Sequence, residues 1–534
     1  MTPLDTKPAL LARLPGWLRQ LASLPEPEEL DYPFAGSDVA MLAGLEGGAA
    51  LVDPQTWDEM MLDAYSDKLA AQTSIFGQQR LHQRLVGGVA DAASGQRVRA
   101  LLAAPDEMVR LQHAMRGLRT VDKEVSAPLF GTQVTPLPWW RRLLPLPPLA
   151  LAIALAAALL VAPLAWLGVL AAWLVLMLLQ VQFHDRCKQW QRSVKTLEQM
   201  LLAHGRLGAL DTPFTAGWQD EARRAGRIHR QMTPVRWIKL VPLLSEYEDW
   251  FMLGDARRYF RSRAVLLRER AFLQHSFVQV AALEADLALA RHLQACTQFC
   301  WAQAMPGASR QLQLQLEQAL HPLLPAAVPL SLALDARGAF ISGQNGIGKS
   351  TLLRTLGLNL ICARAFGFCH AQSACVPRLA VYSSMQSEDS LAGGESLYLA
   401  ELRRARELLA LAHDPAPALF IIDEIFRGTN HLESISAAAA VLHTLCQRHL
   451  VIVSSHNLVL APLLEDSLAP WCVQRDAAGQ LVLAPGVLQA TNGIALLAER
   501  GFGNAIEDKA GRVFDWLSSH MAQPTDCSGV LAAA

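Results

Sequence analysis

The rhythm of apolar and polar positions changes along the chain, and each change predicts a different kind of element. Residues 22–56 are rich in Pro, Glu, Asp and Gly and predict loops and short elements. Ahead of them, Leu10, Leu11, Leu14, Trp17, Leu18 and Leu21 form an amphipathic run broken by Pro15, expected to dock on the protein's own core rather than on a membrane surface. From Trp57 the positions of Met60, Met61, Ala64, Tyr65, Leu69 and Ile75 follow a helical period, and further helices are expected around 79–85, 95–102 and 106–118. Residues 143–184 carry no Asp, Glu, Lys or Arg. Residues 185–320 return to a helical, arginine-rich pattern. From Ala326 short apolar runs alternate with helical segments, predicting strands at 338–342, 379–385, 418–422 and 450–454. That alternation implies an α/β sheet with its ligand at the carboxyl ends of the strands.

The charge-free stretch reads as a transmembrane helical hairpin. Pro163 splits it into 146–162 and 164–180, each at the short end of the roughly 17–25 residues that span a bilayer. Both halves are apolar all round, which a helix on the surface of a soluble domain is not. Trp139, Trp140, Arg141 and Arg142 precede it, and Arg186, Lys188, Arg192 and Lys195 follow it. Tryptophan and cations at both ends suit interface anchors and put both soluble parts in the cytoplasm. Because the halves are short, a re-entrant hairpin stays open as the alternative. A hydrophobic content of 52% agrees with a membrane segment.

Charge and cysteine add limits. The formal charge of −1 does not mark a bulk nucleic-acid binder. Arg223, Arg224, Arg227, Arg230, Arg236 and Lys239 form one basic cluster, and Arg257, Arg258, Arg261, Arg263, Arg268 and Arg270 form another. Acidic residues interleave them (Glu246, Glu248, Asp249, Asp255, Glu269), so solvated helix faces are expected rather than phosphate-binding patches. Nine cysteines occur without a C-x-x-C pair, as free thiols in a reducing compartment do. Cys296 and Cys300 could share a helix face, but no second ligand pair accompanies them. The N-terminus shows no signal-peptide pattern.

The chemistry concentrates in the α/β part. Gly343-Gln344-Asn345-Gly346-Ile347-Gly348-Lys349-Ser350 fits G-x-x-x-x-G-K-[ST], between an apolar strand and a helix that begins with Thr351. Glycines let the backbone wrap a polyphosphate, and its N–H groups with the helix N-terminus face the anion. Lys349 is expected on the β- and γ-phosphates of ATP, and Ser350 on Mg²⁺. The strand 418–422 ends in Asp423-Glu424. Asp423 is expected near the Mg²⁺ shell with Ser350, and Glu424 as the base for the attacking water. The strand 450–454 leads to His456, which would sense the γ-phosphate or hold the water. The segment 387–396, rich in Gly and Ser ahead of the helical run 397–411, offers a second anion-binding helix start. One site does not need two, but two facing copies would.

These residues resemble the MutS family of ATPases. The loop with Asn345 resembles that family's G-P-N-x-x-G-K-S-T, so Gly343, Gln344, Asn345, Gly346, Ile347, Gly348, Lys349, Ser350 and Thr351 are expected to bind nucleotide. Asp423-Glu424-Ile425-Phe426-Arg427-Gly428-Thr429-Asn430 resembles D-E-I-G-R-G-T-S, and Ser455-His456 resembles T-H. Residues 389–396 resemble D-D-L-A-S-G-R-S, which implies that Ser396 reaches the partner's nucleotide in a homodimer. His321-Pro322-Leu323-Leu324 resembles R-H-P-V-L, and Asn492-Gly493-Ile494 falls where a small helical dimerisation region begins. Phe426 and Asn430 replace Gly and Ser, and Glu395 replaces an Arg. No Phe is followed two positions later by Glu, so no mismatch-reading domain is expected.

The resulting expectation is an α/β P-loop ATPase domain of the ABC type, preceded by a helical connector and lever carrying the hairpin. Its segments would be 1–56, an N-terminal segment; 57–137, the first lever part; 138–184, the hairpin; 185–320, the second lever part; 321–488, the ATPase; and 489–534, dimerisation. The expected function is a dimeric, Mg²⁺-dependent ATPase in a bacterial cytoplasmic membrane, in contact with lipid and moving a helical lever. Alternatives are a clamp ATPase on duplex DNA without mismatch recognition, and a transport or scaffold ATPase, because Leu391-Ala392-Gly393-Gly394-Glu395 echoes L-S-G-G-Q.

Overall fold

The computed structural model describes residues 34–132, 136–160, 163–232, 251–303, 312–335, 337–385, 397–476, 481–489, 494 and 504–520. The expected N-terminal amphipathic run, Arg236 and Lys239, Ser396 with the segment 387–396, and Asn492-Gly493 lie outside these residues. The chain divides into two compact units, one containing Val109–Val280 and the other Gly36–Met108 with Ala281–Ala534.

The first unit is helical among its described residues. Leu146–Leu160 and Trp166–Gly208 are antiparallel partners joined through a short 3-10 turn, Pro163–Ala165. A methyl group placed on Gly168 would stand 3.7 Å from Ala154 Cβ, so the two helices are in ordinary contact. The second helix is 43 residues long, or about 65 Å at the α-helical rise. The expected boundary at residue 184 is therefore not a break in the backbone. No proline interrupts 166–208, so nothing forces the helix to stop where its surface pattern changes.

That pattern change is visible in burial. Leu167, Leu170, Leu174, Leu178 and Val181 are exposed, whereas Leu197, Met200, Leu201 and Leu207 are buried. The inner part packs on the helices Gln219–Met232 and Gly254–Arg268. Where apolar meets polar, Trp140, Phe183 and Phe260 interlock, with ring centroids 5.4 to 5.9 Å apart. Four arginines of the two clusters are ion-paired: Arg224 to Glu269 at 2.9 Å, Arg268 to Glu269 at 3.1 Å, Arg223 to Asp220 at 3.0 Å, and Arg258 to Asp255.

The second unit is built on a six-stranded sheet in the order Leu481–Pro485, Leu468–Arg475, Gly338–Gly343, Leu450–Ser454, Ala418–Asp423, Ala380–Ser384. All neighbours pair in parallel except Leu481–Pro485, which is antiparallel to Leu468–Arg475. The strands Gly338–Gly343, Ala418–Asp423 and Leu450–Ser454 are buried at every position, which is why they read as continuous apolar runs rather than alternating ones. A three-stranded antiparallel sheet, Leu330–Asp335, Gln313–Ala319 and Ser373–Cys375, accompanies it.

Residues 36–108 are built into this unit. Val381 N–H donates to Leu51 O at 2.9 Å. Arg404 binds Asp53 at 2.7 Å and also reaches the Ser383 carbonyl. Glu284 accepts from Ser74 N–H at 2.9 Å and Gly77 N–H at 3.0 Å, and Asp286 accepts from Arg84 and Arg97. Such buried, multiply paired carboxylates are costly to disrupt.

Candidate functional site

The strand Gly338–Gly343 hands the chain to a glycine loop and then to the helix Lys349–Phe366. The loop needs left-handed backbone at Gly346 (φ +74°) and Gly348 (φ +106°), which only glycine adopts without strain. The helix closes with Gly367 at φ +82°, its N–H on the carbonyls of Cys362 and Ala363. The sheet order puts Leu450–Ser454 and Ala418–Asp423 successively beside the loop strand. Residues following three parallel strands therefore meet along the carboxyl edge of the sheet, beyond the strand C-termini, where α/β proteins hold ligands.

At that edge Lys349 Nζ donates to the carbonyls of Gly343 at 3.0 Å and Gln344 at 3.2 Å, and lies 3.5 Å from His456 Nε2. His456 Nε2 lies 2.7 Å from Glu424 Oε1, and Arg427 Nη1 lies 3.0 Å from Glu424 Oε2. Asp423 Oδ1 accepts from Ser454 Oγ. Burial pushes the Lys349 ammonium below its ordinary pKa, against the opposing pull of Glu424 and Asp423. Burial also pushes the Glu424 carboxyl up, but the His456 hydrogen bond and the charges of His456, Arg427 and Lys349 outweigh it and hold it below its usual value. Glu424 is thus an ionised carboxylate beside an imidazole. That pair can orient water and accept a proton.

The turn after the acidic pair is strained. Glu424 and Phe426 both have φ of +56°. Such backbone costs about 1–3 kcal/mol at a side-chain-bearing residue and clusters at functional sites. Phe426 replaces the glycine of the motif that it resembles. Its buried ring faces Tyr398 at 6.2 Å, and Ser434 Oγ donates to its carbonyl. A methyl group on Gly428 would meet Tyr398 N at 2.6 Å, so this backbone approach requires glycine. Glu401 steadies the turn by accepting from Arg427 N–H at 2.8 Å.

Lys349, Asp423, Glu424 and His456 are therefore brought together, with Ser350 and Thr351 in the first turn of the loop helix. Sequence reasoning did not find the apolar cavity of about 190 Å³ flanking the loop. Its walls include Gly348, Thr351, Leu352, Val473, Leu481 and Leu483. His321, also in the wall, stands in a resembling motif in the sequence; its place beside the loop follows from the fold.

A parallel α/β sheet with a glycine loop, a carboxylate pair and a histidine at the carboxyl ends of its strands defines a structural class. Comparison with known proteins narrows that class. Residues 339–476 match MutS domain V. Endonuclease MutS2 from Thermus thermophilus is 31% identical over 301 residues, covering 52% of this chain and 39% of the relative. The DNA mismatch repair protein MutS from Thermus aquaticus is 29% identical over 208 residues, covering 37% of this chain and 25% of the relative. The DNA mismatch repair protein MutS from Myxococcus xanthus is 26% identical over 322 residues, covering 54% of this chain and 35% of the relative. The similarity to MutS domain V thus lies over residues 339–476, while the chain spans less than half the length of each of these relatives.

Proposed function

We propose that the protein is a MutS-like, Mg²⁺-dependent ATPase that is anchored in a membrane. The observation that carries the hydrolytic reading is the chain of contacts from Lys349 through His456 to Glu424 at the carboxyl edge of the parallel sheet. The N–H groups of 343–348 with Lys349 would hold the phosphates, and the Ser350 hydroxyl and Asp423 would hold Mg²⁺. Mg²⁺ would neutralise charge developing on the transferred phosphoryl group. Glu424 would take the proton of the attacking water, with His456 keeping it oriented. The apolar cavity at Leu352, Val473 and Leu483 suits an adenine ring. Lys349 occupies the loop carbonyls through its own hydrogen bonds, so nucleotide binding would exchange those partners for phosphate oxygens.

The membrane reading rests on the hairpin. Trp139–Leu160 and Trp166–Gly208 are long and apolar enough to cross a bilayer, with 11% and 17% of their most apolar windows buried. Rows of exposed Leu and Val are unfavourable in water and unremarkable in lipid. Because the second helix continues without a break into the polar first unit, motion of that unit would reach the membrane directly. Pairing of two copies through Ser396 remains part of this proposal.

Purified protein in lipid nanodiscs should hydrolyse ATP only with Mg²⁺. Glu424→Gln should lower turnover by about 100-fold or more while retaining nucleotide binding. Lys349→Ala should weaken binding itself. Full turnover by Glu424→Gln would overturn the assignment of the base. The names of the relatives favour a second reading, action on DNA. Stimulation by duplex DNA with a steep salt dependence would support it; the ion pairing of Arg223, Arg224, Arg258 and Arg268 argues against a free phosphate-binding face.

A further inference from the structure

The second unit contains a cluster that the candidate nucleotide site does not use. His292 and Cys296 lie near and just beyond the end of the helix Arg270–Ala295. His370 follows the short strand Phe368–Cys369. One ligating atom from each of the three lies within 4.8 Å of the other two. Cys296 Sγ stands 3.5 Å from His292 Nε2 and 3.7 Å from His370 Nδ1. A tetrahedral ion with N and S bonds of about 2.0 and 2.3 Å separates its nitrogen and sulfur ligands by about 3.5 Å.

The surroundings resemble the outer shell of a metal centre. The ring nitrogen of His370 that faces away from Cys296, Nε2, lies 3.0 Å from Tyr65 Oη. A ligating histidine characteristically has such a partner on its other nitrogen, fixing tautomer and ring direction. Cys362 Sγ lies 3.1 Å from the same Tyr65 Oη, and Asn359 Oδ1 accepts from His370 N–H at 2.7 Å. His292 and His370 are buried, and Cys296 is half-buried. Burial holds both imidazoles in the neutral form that ligates, with pKa values of about 4 and about 3.

We propose that His292 Nε2, Cys296 Sγ and His370 Nδ1 form a binding site for a zinc-class divalent ion, with a water at the fourth corner. Two nitrogens and a thiolate suit Zn²⁺ over Mg²⁺ or Ca²⁺, which take oxygen. Binding converts the Cys296 thiol to a thiolate and releases its proton to solvent. The ion would tie the end of the helix Arg270–Ala295 to the strand that follows the loop helix. Asn359 and Cys362, both on the loop helix, would brace it from behind. The site is separate from the Mg²⁺ proposed at Ser350 and Asp423.

The test is titration of the full chain in detergent with Zn²⁺ against a chromophoric chelator, followed by Co²⁺ substitution. One tight Zn²⁺ per chain is expected, with a cobalt spectrum showing tetrahedral d–d bands and a thiolate charge-transfer band. Cys296→Ser should abolish the charge-transfer band, and Cys446→Ser should leave it intact. Tyr65→Phe should lower Zn²⁺ affinity by about 10-fold or more. Absence of stoichiometric Zn²⁺, or a cobalt spectrum without the thiolate band in the wild-type chain, would overturn the proposal without recourse to any variant. So would Zn²⁺ binding unchanged in a folded Cys296→Ser or His370→Gln protein. Loss of ATP turnover in a Zn²⁺-replete wild-type chain would bear on the ATPase reading and leave this site standing.

Discussion

The helix Lys349–Phe366 and the opening part of the helix Trp166–Gly208 both carry runs of apolar residues, but the first also holds seven polar side chains, among them Asn359 and Arg364. Their surroundings are opposite. The first is buried on nearly every residue after its opening turn, and even Asn359 and Arg364 are fully enclosed. Asn359 is hydrogen-bonded to Leu320 O and Thr355 O, and Arg364 reaches Leu85 O, although its Nε is buried without a partner among the described residues. The second turns Leu167, Leu170, Leu174 and Leu178 outward and has no charged side chain before Asp185. On the proposed membrane reading, the polar content of each helix follows from the medium that it faces. A core helix tolerates a polar group that finds a partner, whereas a lipid-facing helix has none to offer it.

The sharpest challenge to this contrast is a matched truncation. Leu356→Ala, at a fully buried position, is expected to destabilise the second unit by about 2–5 kcal/mol. Leu174→Ala, whose side chain is largely exposed, is expected to cost less than about 1 kcal/mol by the same denaturation measurement in detergent. Equal losses would show that the hairpin is a packed core element. A charge should act the other way round. Leu170→Arg is expected to oppose membrane insertion by about 3 kcal/mol, read as loss of protein from the membrane fraction, with ATP binding unchanged. Undiminished insertion would count against a lipid-facing helix.

An effect confined to acid pH concerns His204, in the polar part of the long helix. It is fully buried, its Nδ1 lies 2.8 Å from Ser276 Oγ, and it stacks near Trp218. Burial lowers its pKa from 6.5 to about 4, the nearby Glu221 opposing and His275 reinforcing the shift. As pH falls below 6.5 the unfolded chain takes up a proton that the folded unit refuses. Stability should fall by up to about 1.4 kcal/mol per pH unit until about pH 4, and be insensitive to this residue above pH 6.5. Unfolding curves of His204→Gln across that window should be flatter; an unchanged slope would assign the pH dependence to other groups.

Much of the candidate site is legible before any folding. The loop 343–350 is a contiguous motif, and Asp423-Glu424 and His456 each end or follow a buried strand whose apolar run stands out. The expected strand 450–454 and helix 397–411 coincide with the observed Leu450–Ser454 and Leu397–Leu411. Less legible is what depends on distant partners. The Asp53–Arg404 pair joins residues widely separated in sequence, and neither carries a local signal. Spacing along the sequence pairs Cys296 only with Cys300. The structural partners of Cys296 are His292, one turn earlier, and His370, which arrives from the far side of the loop helix. The left-handed φ of Phe426 was detectable only as a departure from the glycine of the motif that it resembles.

The amino-acid sequence alone determined the local chemistry: a glycine loop, a carboxylate pair after an apolar strand, and a hairpin without charge. These follow from short-range rules, because φ preferences, strand burial and solvent transfer act within a few residues. The tertiary structure decided what those pieces face. It ordered the strands so that Lys349, Glu424 and His456 meet, and it enclosed Arg364 while exposing Leu170. It also drew residues 36–108 into the α/β unit and closed His292, Cys296 and His370 around one point. Contacts between residues hundreds of positions apart depend on packing the whole chain at once, and no local pattern encodes them.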